Sequence, residues 1–269
     1  LRIFTIFIPL NYSPVAISIA ERHKAILERL KNAGYVNVVD LSRELNVSTV
    51  TIRKDLKFLE EKNLLFRIHG SASHNDPYMP DRHVNEKEKL HVEEKRRIGK
   101  HAASMVMDGD SIIIASGTTV NEFSRHVTGK KGLVAICASL TASRELALAG
   151  AAEVIQLGGI LRHTSLSVVG PFAERVLGDF MCNKLFIGVD GIDSNYGITT
   201  TNALEANLNQ RMIASALSVI VLADHSKFGR HGFSRICGLD KVDIVITDNC
   251  VSDYQVKEFE EKGVQVVRV

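Results

Sequence analysis

The sequence predicts an α/β protein of two domains: a small N-terminal one made mostly of helices, and a larger C-terminal one built on an open, largely parallel sheet. Three observations carry this expectation. Residues 41–62, LSRELNVSTVTIRKDLKFLEEK, have the pattern of two helices joined by a tight turn. From residue 111 onward, short apolar runs alternate with helical segments. Between the two regions, residues 74–80 (HNDPYMP) hold two of the chain's five prolines and read as a linker. With 269 residues, each region is long enough to bury its own core.

Taken in order, residues 1–20 (LRIFTIFIPLNYSPVAISIA) carry one positive charge and a short apolar run, as a signal peptide would. Pro9 and Pro14 interrupt that run, and it is too short to span a bilayer. The expectation is an extension outside the functional domain, from an upstream start site. Residues 21–32 (ERHKAILERLKN) place Ile26, Leu27 and Leu30 on one helical stripe, with Gly34 as a C-terminal cap. In the next helix pair, Asp40 is placed to cap the first helix, Asn46 to take the turn and Ser48 to cap the second. Ile52, Leu56 and Leu59 recur at i, i+4 and i+7 and share a buried stripe; Val50, Lys54 and Lys57 fall opposite it, with Arg53 on the flank. Residues 64–70 (LLFRIHG) read as a hairpin in which Arg67 and His69 alternate with apolar residues. Three helices and a hairpin make a winged helix-turn-helix over residues 21–73.

A short helix N-terminus rich in hydroxyls and cations fits a DNA major groove, where Arg and Lys reach phosphates and guanine edges and Thr or Val meets a thymine methyl. The candidate contacts to double-stranded DNA are Ser48, Thr49, Val50, Thr51, Arg53, Lys54, Lys57, Arg67 and His69. The same pattern also suits an ordinary helix pair with a solvated basic face. Residues 21–73 carry ten Lys/Arg against seven Asp/Glu, while residues 74–269 carry 22 against 24, so the modest positive excess sits on the small domain. Cys137, Cys182, Cys237 and Cys250 are far apart, with no CxxC or Cys/His ligand spacing. They point to a reduced cytoplasm, away from a disulfide framework or a zinc site.

Residues 74–107 are expected to be the linker and a connecting helix: a Lys/Glu-rich solvated half, then Ile98, Ala102, Met105 and Val106 at helical spacing, packing on the C-terminal domain. In residues 108–269, strands are expected at 112–115, 133–137, 154–157, 185–189, 219–223, 244–247 and 264–267, and helices at 120–127, 141–148, 172–177, 203–217 and 252–262. The strand candidates are continuous apolar runs with little polar alternation, so both faces are covered and the sheet is parallel. In such a sheet a ligand site lies beyond the carboxyl ends of the strands.

Several loops after strands have suitable chemistry. Ser116-Gly117-Thr118-Thr119 leads into a helix: Gly117 lets the backbone approach a ligand, the hydroxyls donate, and the helix N-terminus presents free amides, which suits a phosphate. Neither GxxxxGK[ST] nor GxGxxG is present, which disfavours nucleotides. A plain capped strand-to-helix turn has the same composition. Gly158 and Gly159 with Arg162 come after another strand, Asp190 and Asp193 after a third, Glu205 opens a helix, and Lys227 lies beyond the strand ending at Ala223. Their recurrence after successive strands marks Ser116, Gly117, Thr118, Thr119, Gly158, Gly159, Arg162, Asp190, Glu205 and Lys227 as candidate ligand contacts.

The run TVTIRKDLKFLEEKNLLFRIHG closely resembles the signature of the DeoR family of bacterial transcriptional regulators, which usually has two glycines in the wing where this chain has Gly70 and Ser71. ASGTT, QLGGILR, GVDGID, ALEANLNQRM and ADHSKFGR, in that order, resemble the family's C-terminal effector domain, so the likeness covers residues 21–269. The resemblance implies a DNA-binding domain with recognition on the helix beginning near Ser48. It also implies an effector domain similar in fold to ribose 5-phosphate isomerase, which binds a phosphorylated sugar that relieves repression. Ser116 to Thr119 would hold the phosphate, with Asp190, Glu205 and Lys227 near the sugar. GVDGID with NLNQRM is most similar to members controlling amino-sugar or galactosamine catabolism. The rival is a sugar-phosphate isomerase with a DNA-binding appendage, using Asp190, Asp193 or Glu205 as general base. That enzyme family has a lysine in a glycine-rich stretch after its aspartates, where this chain reads Gly197-Ile198-Thr199-Thr200-Thr201. The expectation is therefore a regulator and not an enzyme, with no cofactor or metal and no membrane, acting as a homodimer or larger assembly.

Overall fold

The computed structural model describes residues 17–33, 35–62, 64–68, 71–73 and 83–269. The expectations for residues 1–16, Gly34, His69, Gly70 and the 74–80 linker lie outside the described residues. Two compact units divide between residues 75 and 76.

The first unit runs α1 (Ile19–Ala33), β1 (Tyr35–Asn37), α2 (Val38–Glu44), α3 (Thr49–Glu61), β2 (Phe66–Ile68) and β3 (Ser71–Ser73), with the strands antiparallel in the order β1-β3-β2. Ile26 and Leu30 of α1, Leu41 of α2, Ile52, Leu56 and Leu59 of α3, and Leu65 close one core. The turn between α2 and α3 is as its residues dictate. Asn46 takes a left-handed φ of 50°, and the Ser48 hydroxyl accepts from the Thr51 amide at 3.1 Å. The cap of α2 differs from expectation. Asn37, at the end of β1, accepts from Val39 N at 2.7 Å, and Asp40 lies inside the first turn, where its charge suits the helix dipole.

The second unit begins with α4 (Val84–Glu88) and α5 (Val92–Ser104) and continues β4 (Ser111–Ile114), α6 (Thr118–His126), β5 (Val134–Cys137), α7 (Leu140–Ala149), β6 (Glu153–Gln156), β7 (Ile160–Arg162), β8 (Ser167–Val169) and α8 (Pro171–Leu177). Then come β9 (Cys182–Gly188), β10 (Gly191–Asp193), β11 (Gly197–Thr200), α9 (Ala203–Ala214), β12 (Ala216–Leu222), β13 (Ser234–Cys237), β14 (Ile244–Thr247), α10 (Asp253–Glu260) and β15 (Gln265–Arg268). Seven parallel strands form one sheet in the order β15-β14-β12-β9-β4-β5-β6. Successive residues of a strand point to opposite faces. Ile112 and Ile114 join Phe123, Phe186 and Ile246 in one core, whereas Ile113 joins Leu185, Ile187 and Val245 in the other. A strand covered on both faces must be apolar at every position, which is why inner strands such as β4 read as unbroken runs, whereas the edge strands β6 and β15 are only half-buried and carry exposed polar residues at both ends.

All seven expected strands are present, and Leu217, expected to end a helix, lies in β12 instead. Two small antiparallel additions were not expected: the β7–β8 pair and the three-stranded β10-β11-β13 sheet, which convert parts of the presumed loops at 158–162 and 188–193 into strands. Gly99 of α5 explains how that helix packs on α6, since a Cβ there would lie 2.6 Å from Phe123 N. Within the sheet the chain runs from β4 outward through β5 to β6, then returns to β9 and proceeds through β12 and β14 to β15. The order reverses between β4 and β9, and a ligand crevice belongs outside the carboxyl ends of those two strands.

Candidate functional site

A cavity occupies that position. Ser116 to Thr119 after β4 and Gly188 to Asp190 after β9 line it, together with Lys87, Thr164, Ser165, Thr200, Glu205 and Lys227. The two strand ends approach closely because neither carries a side chain at the crossing: a Cβ on Gly188 would lie 2.9 Å from Ser116 O. Gly117 has φ 128° and ψ 155° and precedes α6. The first intrahelical bond there is from Asn121 N to Gly117 O, so the amides of Thr118, Thr119 and Val120 have no carbonyl to reach within the helix. Three donors and the positive end of a helix therefore sit beside the cavity.

The charged groups around this loop form a chain of pairs. Lys87 Nζ donates to Asp190 Oδ1 at 2.8 Å, and Asp190 Oδ2 accepts from the Thr200 hydroxyl, the Thr201 amide and the Thr201 hydroxyl, each at 3.1 Å. Burial pushes the Asp190 carboxyl up, but Lys87 and Lys227, with these hydrogen bonds, outweigh it and hold the group at about 2. Glu205 accepts from the Ser116 hydroxyl and pairs with Arg162. Burial and the nearby Asp190 raise its pKa, against Ser116, Arg162 and Lys87. Burial lowers that of Lys227, against Asp224 and Asp190. An anion arriving beside Lys227 would favour its charged form.

On the first unit, α3 presents a second candidate surface. Val50 is 57% exposed, Arg53, Lys54 and Lys57 are exposed, and Ile52, Leu56 and Leu59 are buried on the opposite side. Ser48 and Thr51 share a hydroxyl contact of 2.9 Å at the helix start, and Thr49 is half-buried. Arg67 in β2 is tied back to the end of α3, its Nε donating to Glu60 Oε2 at 2.6 Å. This face is held by an ion pair that the periodicity did not suggest. Arg22 of α1 donates to Asp55 of α3 at 2.5 and 2.9 Å, with His23 at 3.1 Å, and both Arg22 and Asp55 are buried.

Comparison with known proteins agrees with this architecture. Residues 22–78 match the DeoR-like helix-turn-helix domain and residues 90–249 the DeoR C terminal sensor domain. The chain belongs to the DeoR family. It is 35% identical over 252 residues to a protein named putative aga operon transcriptional repressor from Escherichia coli O157:H7, covering 93% of this chain and 94% of that one. It is 32% identical over 251 residues to the lactose phosphotransferase system repressor of Staphylococcus epidermidis, covering 92% and 98%. With the glycerol-3-phosphate regulon repressor of Escherichia coli K12 the identity is 29% over 232 residues, covering 85% and 90%. Among solved structures, ribose 5-phosphate isomerase A from Neisseria gonorrhoeae aligns at a TM-score of 0.38 and 16% identity, over 51% of this chain and 53% of that one.

In this DeoR-family chain, the sequence candidates Ser116, Gly117, Thr118, Thr119, Asp190, Glu205 and Lys227 line one cavity. Arg162 reaches it through Glu205. Gly158 and Gly159 do not line it. Gly159 serves the close approach to β8, since a Cβ there would meet Val169 O at 2.6 Å. Asp193, weighed as a catalytic carboxylate, accepts from the Asn195 and Tyr196 amides at 2.8 Å and shapes the turn after β10. The sequence reading missed Lys87, which lies in the stretch expected to be a solvated helix, and Thr164, Ser165 and Thr200. The hydroxyl-rich runs HTSLS and ITTT were the available signal for the last three; nothing local marked Lys87.

The fold also gathers ligand-type atoms that are distant in sequence: His91, Asp224 and His225 have one each within 4.8 Å of one another, as do His225, Asp248 and Cys250. Lys227 and Lys95 place positive charge on Asp224, which works against a metal ion there. His225 Nδ1 lies 3.0 Å from Asp248, an ion pair when the ring is protonated, a form the Asp248 hydrogen bond favours.

Proposed function

We propose that this protein is a transcriptional repressor of a sugar-catabolism operon that leaves its operator DNA when a phosphorylated sugar occupies the cavity between β4 and β9. The observation that carries the reading is the Ser116 to Thr119 loop at the start of α6, where free helix amides, hydroxyls and Lys227 border one cavity at the reversal of strand order. Asp190 and Glu205 supply acceptors for sugar hydroxyls. The lactose phosphotransferase and glycerol-3-phosphate names support a regulon of carbohydrate or polyol-phosphate use, and the aga operon repressor is consistent with the amino-sugar branch. On this reading residues 21–73 bind DNA through the exposed face of α3, residues 74–107 connect, residues 108–269 sense the effector, and the protein works in the cytoplasm as at least a homodimer. No helix among the described residues is long and apolar enough to cross a membrane.

The isomerase alternative loses support because Asp193 is committed to its turn and no lysine succeeds the aspartates in the 197–201 stretch. Assaying turnover of ribose 5-phosphate tests that alternative directly. The decisive experiment for the repressor reading is a thermal-shift screen with sugar phosphates and their unphosphorylated sugars. A ligand present at about 100 times its dissociation constant adds roughly 2.7 kcal/mol of stability, easily read as a shift in Tm. A screen in which free sugars stabilise as much as their phosphates would overturn the assignment of the loop.

A further inference from the structure

Lys87 belongs to none of the segments marked by sequence as ligand-binding, yet it enters the cavity wall and its ammonium donates to Asp190 Oδ1 at 2.8 Å. The two oxygens of Asp190 are committed differently. Oδ2 takes three donors from Thr200 and Thr201, so the carboxylate stays in place whether or not Lys87 is there. Oδ1 is the exchangeable oxygen, able to accept from Lys87 or from a ligand hydroxyl.

Lys87 sits on α4, a helix of five residues that has no stability of its own. A few contacts hold it. Lys95 of α5 donates to Lys87 O and Leu90 O at 2.5 and 2.6 Å, Glu88 stands 3.9 Å from Arg125, and Val84 N donates to Thr164 O at 2.6 Å. Val84 and Thr164, like Lys87 and Asp190, line the ligand cavity, so two of the ties on α4 are made to its walls. In chain order α4 is the first helix of the second unit, and the winged-helix unit ends shortly before it.

We propose that Lys87 is the residue that reads occupancy of the cavity and passes it to the connecting chain: paired with Asp190 in the empty cavity, it latches α4 in the DNA-binding arrangement, and a sugar phosphate breaks the latch. The ligand's hydroxyls donate to Asp190 Oδ1 in place of the ammonium, while its anionic group is held at the α6 amides and Lys227. This rests on the reading of the cavity as a sugar-phosphate site. Linkage has two consequences here. A protein without the latch binds DNA weakly even when empty, and it binds the effector at least as tightly as wild type, because the ligand no longer has to displace Lys87.

The test uses the full chain, a fluorescent duplex that wild type selects from a randomised pool, and whichever of galactosamine 6-phosphate, tagatose 6-phosphate and ribose 5-phosphate most raises the wild-type Tm. Lys87→Met, which keeps the aliphatic stem and removes the charge, should lower ligand-free DNA affinity about tenfold or more and abolish any further drop on adding the sugar phosphate. Its sugar-phosphate affinity should equal or exceed that of wild type. Lys87→Arg, which retains a cation for Asp190, should restore DNA binding and the response. A Lys87→Met protein that binds DNA like wild type, or still releases it on adding the sugar phosphate, would overturn the latch, as would failure of Lys87→Arg to restore function. Should Lys87→Met prove unfolded by its melting curve, Asp190→Asn is read by the same ligand-free DNA criterion. If none of the three sugar phosphates acts on wild type, the sugar-phosphate reading falls, and the ligand-free DNA affinities still decide the latch.

Discussion

Replacing Gly117 by alanine tests the ligand loop with the smallest possible change. At φ 128° and ψ 155° the residue occupies a backbone region that is essentially restricted to glycine, and a side chain there costs about 1–3 kcal/mol. Crowding contributes nothing to this figure, because a Cβ on Gly117 would meet only Gly188 Cα, at an ordinary contact of 3.7 Å. The empty loop escapes the strain by turning away, and the amides at the start of α6 lose their common direction. Binding must restore the original conformation, so ligand affinity falls by up to the strain energy, about 5- to 150-fold. Titration calorimetry with the sugar phosphate that stabilises wild type measures this directly. DNA affinity without ligand should be unaltered, and release should need correspondingly more effector, giving a super-repressor. A Gly117→Ala protein with wild-type effector affinity would refute the reasoning.

The remaining predictions concern both units. Alanine at Arg53, Lys54 or Lys57 should weaken DNA binding without unfolding the protein, each lost phosphate contact flattening the salt slope by about one; unchanged affinity with all three replaced would rule out the exposed face of α3. Asp55→Ala strands the buried Arg22 guanidinium and should destabilise the DNA-binding unit by about 3–5 kcal/mol, read by denaturant unfolding, and Ile52→Ala should cost about 2–5 kcal/mol through a cavity. The hydrogen bond to Asp248 raises the pKa of His225 against burial, so the pair's contribution is complete below the unfolded value of about 6.5 and is lost as pH rises through the higher folded value. His225→Asn should therefore lower Tm more at acid pH than at alkaline pH, and an equal loss at both would show that the pair is inert. Light scattering at micromolar concentration should find at least a dimer; a monomer with undiminished operator affinity would remove the assembly inference.

What could be read in the sequence was what repeats locally. The stripe of Ile52, Leu56 and Leu59, bounded by Asn46 and Ser48, identifies α3 because helix geometry brings those positions together. The run Ile112-Ile113-Ile114 reveals a strand covered on both faces. The loop at 116–119 was legible because glycine and hydroxyls come directly after such a run. Long-range pairing was not legible. Lys87 and Asp190 are 103 residues apart, and a lysine in a Lys/Glu-rich stretch looks like any solvated cation. Arg22 and Asp55, 33 apart, were hidden in the same way. The cap of α2 went to Asn37 over Asp40 because β1 decides where the helix starts, and a three-residue strand leaves too short a pattern to see. Gly159 misled for a related reason: glycine signals close approach without saying to what, and here the partner is the backbone of β8.

The charges around the cavity explain why the ligand should be an anion. Lys87, Lys227 and Arg162 face two carboxylates, Asp190 and Glu205. Asp190 stays ionised because cations and three donors surround its carboxylate, but Glu205 is pushed toward its neutral form by burial and by Asp190 itself. Beside Lys227, Asp224 and Lys95 offset one another, so the balance is one positive charge or more, and burial opposes the charge of Lys227 against Asp224 and Asp190. An unphosphorylated sugar would leave that excess in place and would also cover it from water, adding to the desolvation penalty. A phosphate neutralises it and occupies the α6 amides at the same time. Discrimination between a sugar and its phosphate then comes from one region of the cavity, while Asp190 and Glu205 remain to distinguish hydroxyl patterns. Lys227→Ala should consequently cost most of the preference for phosphate while leaving DNA binding intact, and a variant that still prefers the phosphorylated sugar as strongly as wild type would show that the amides alone carry the anion.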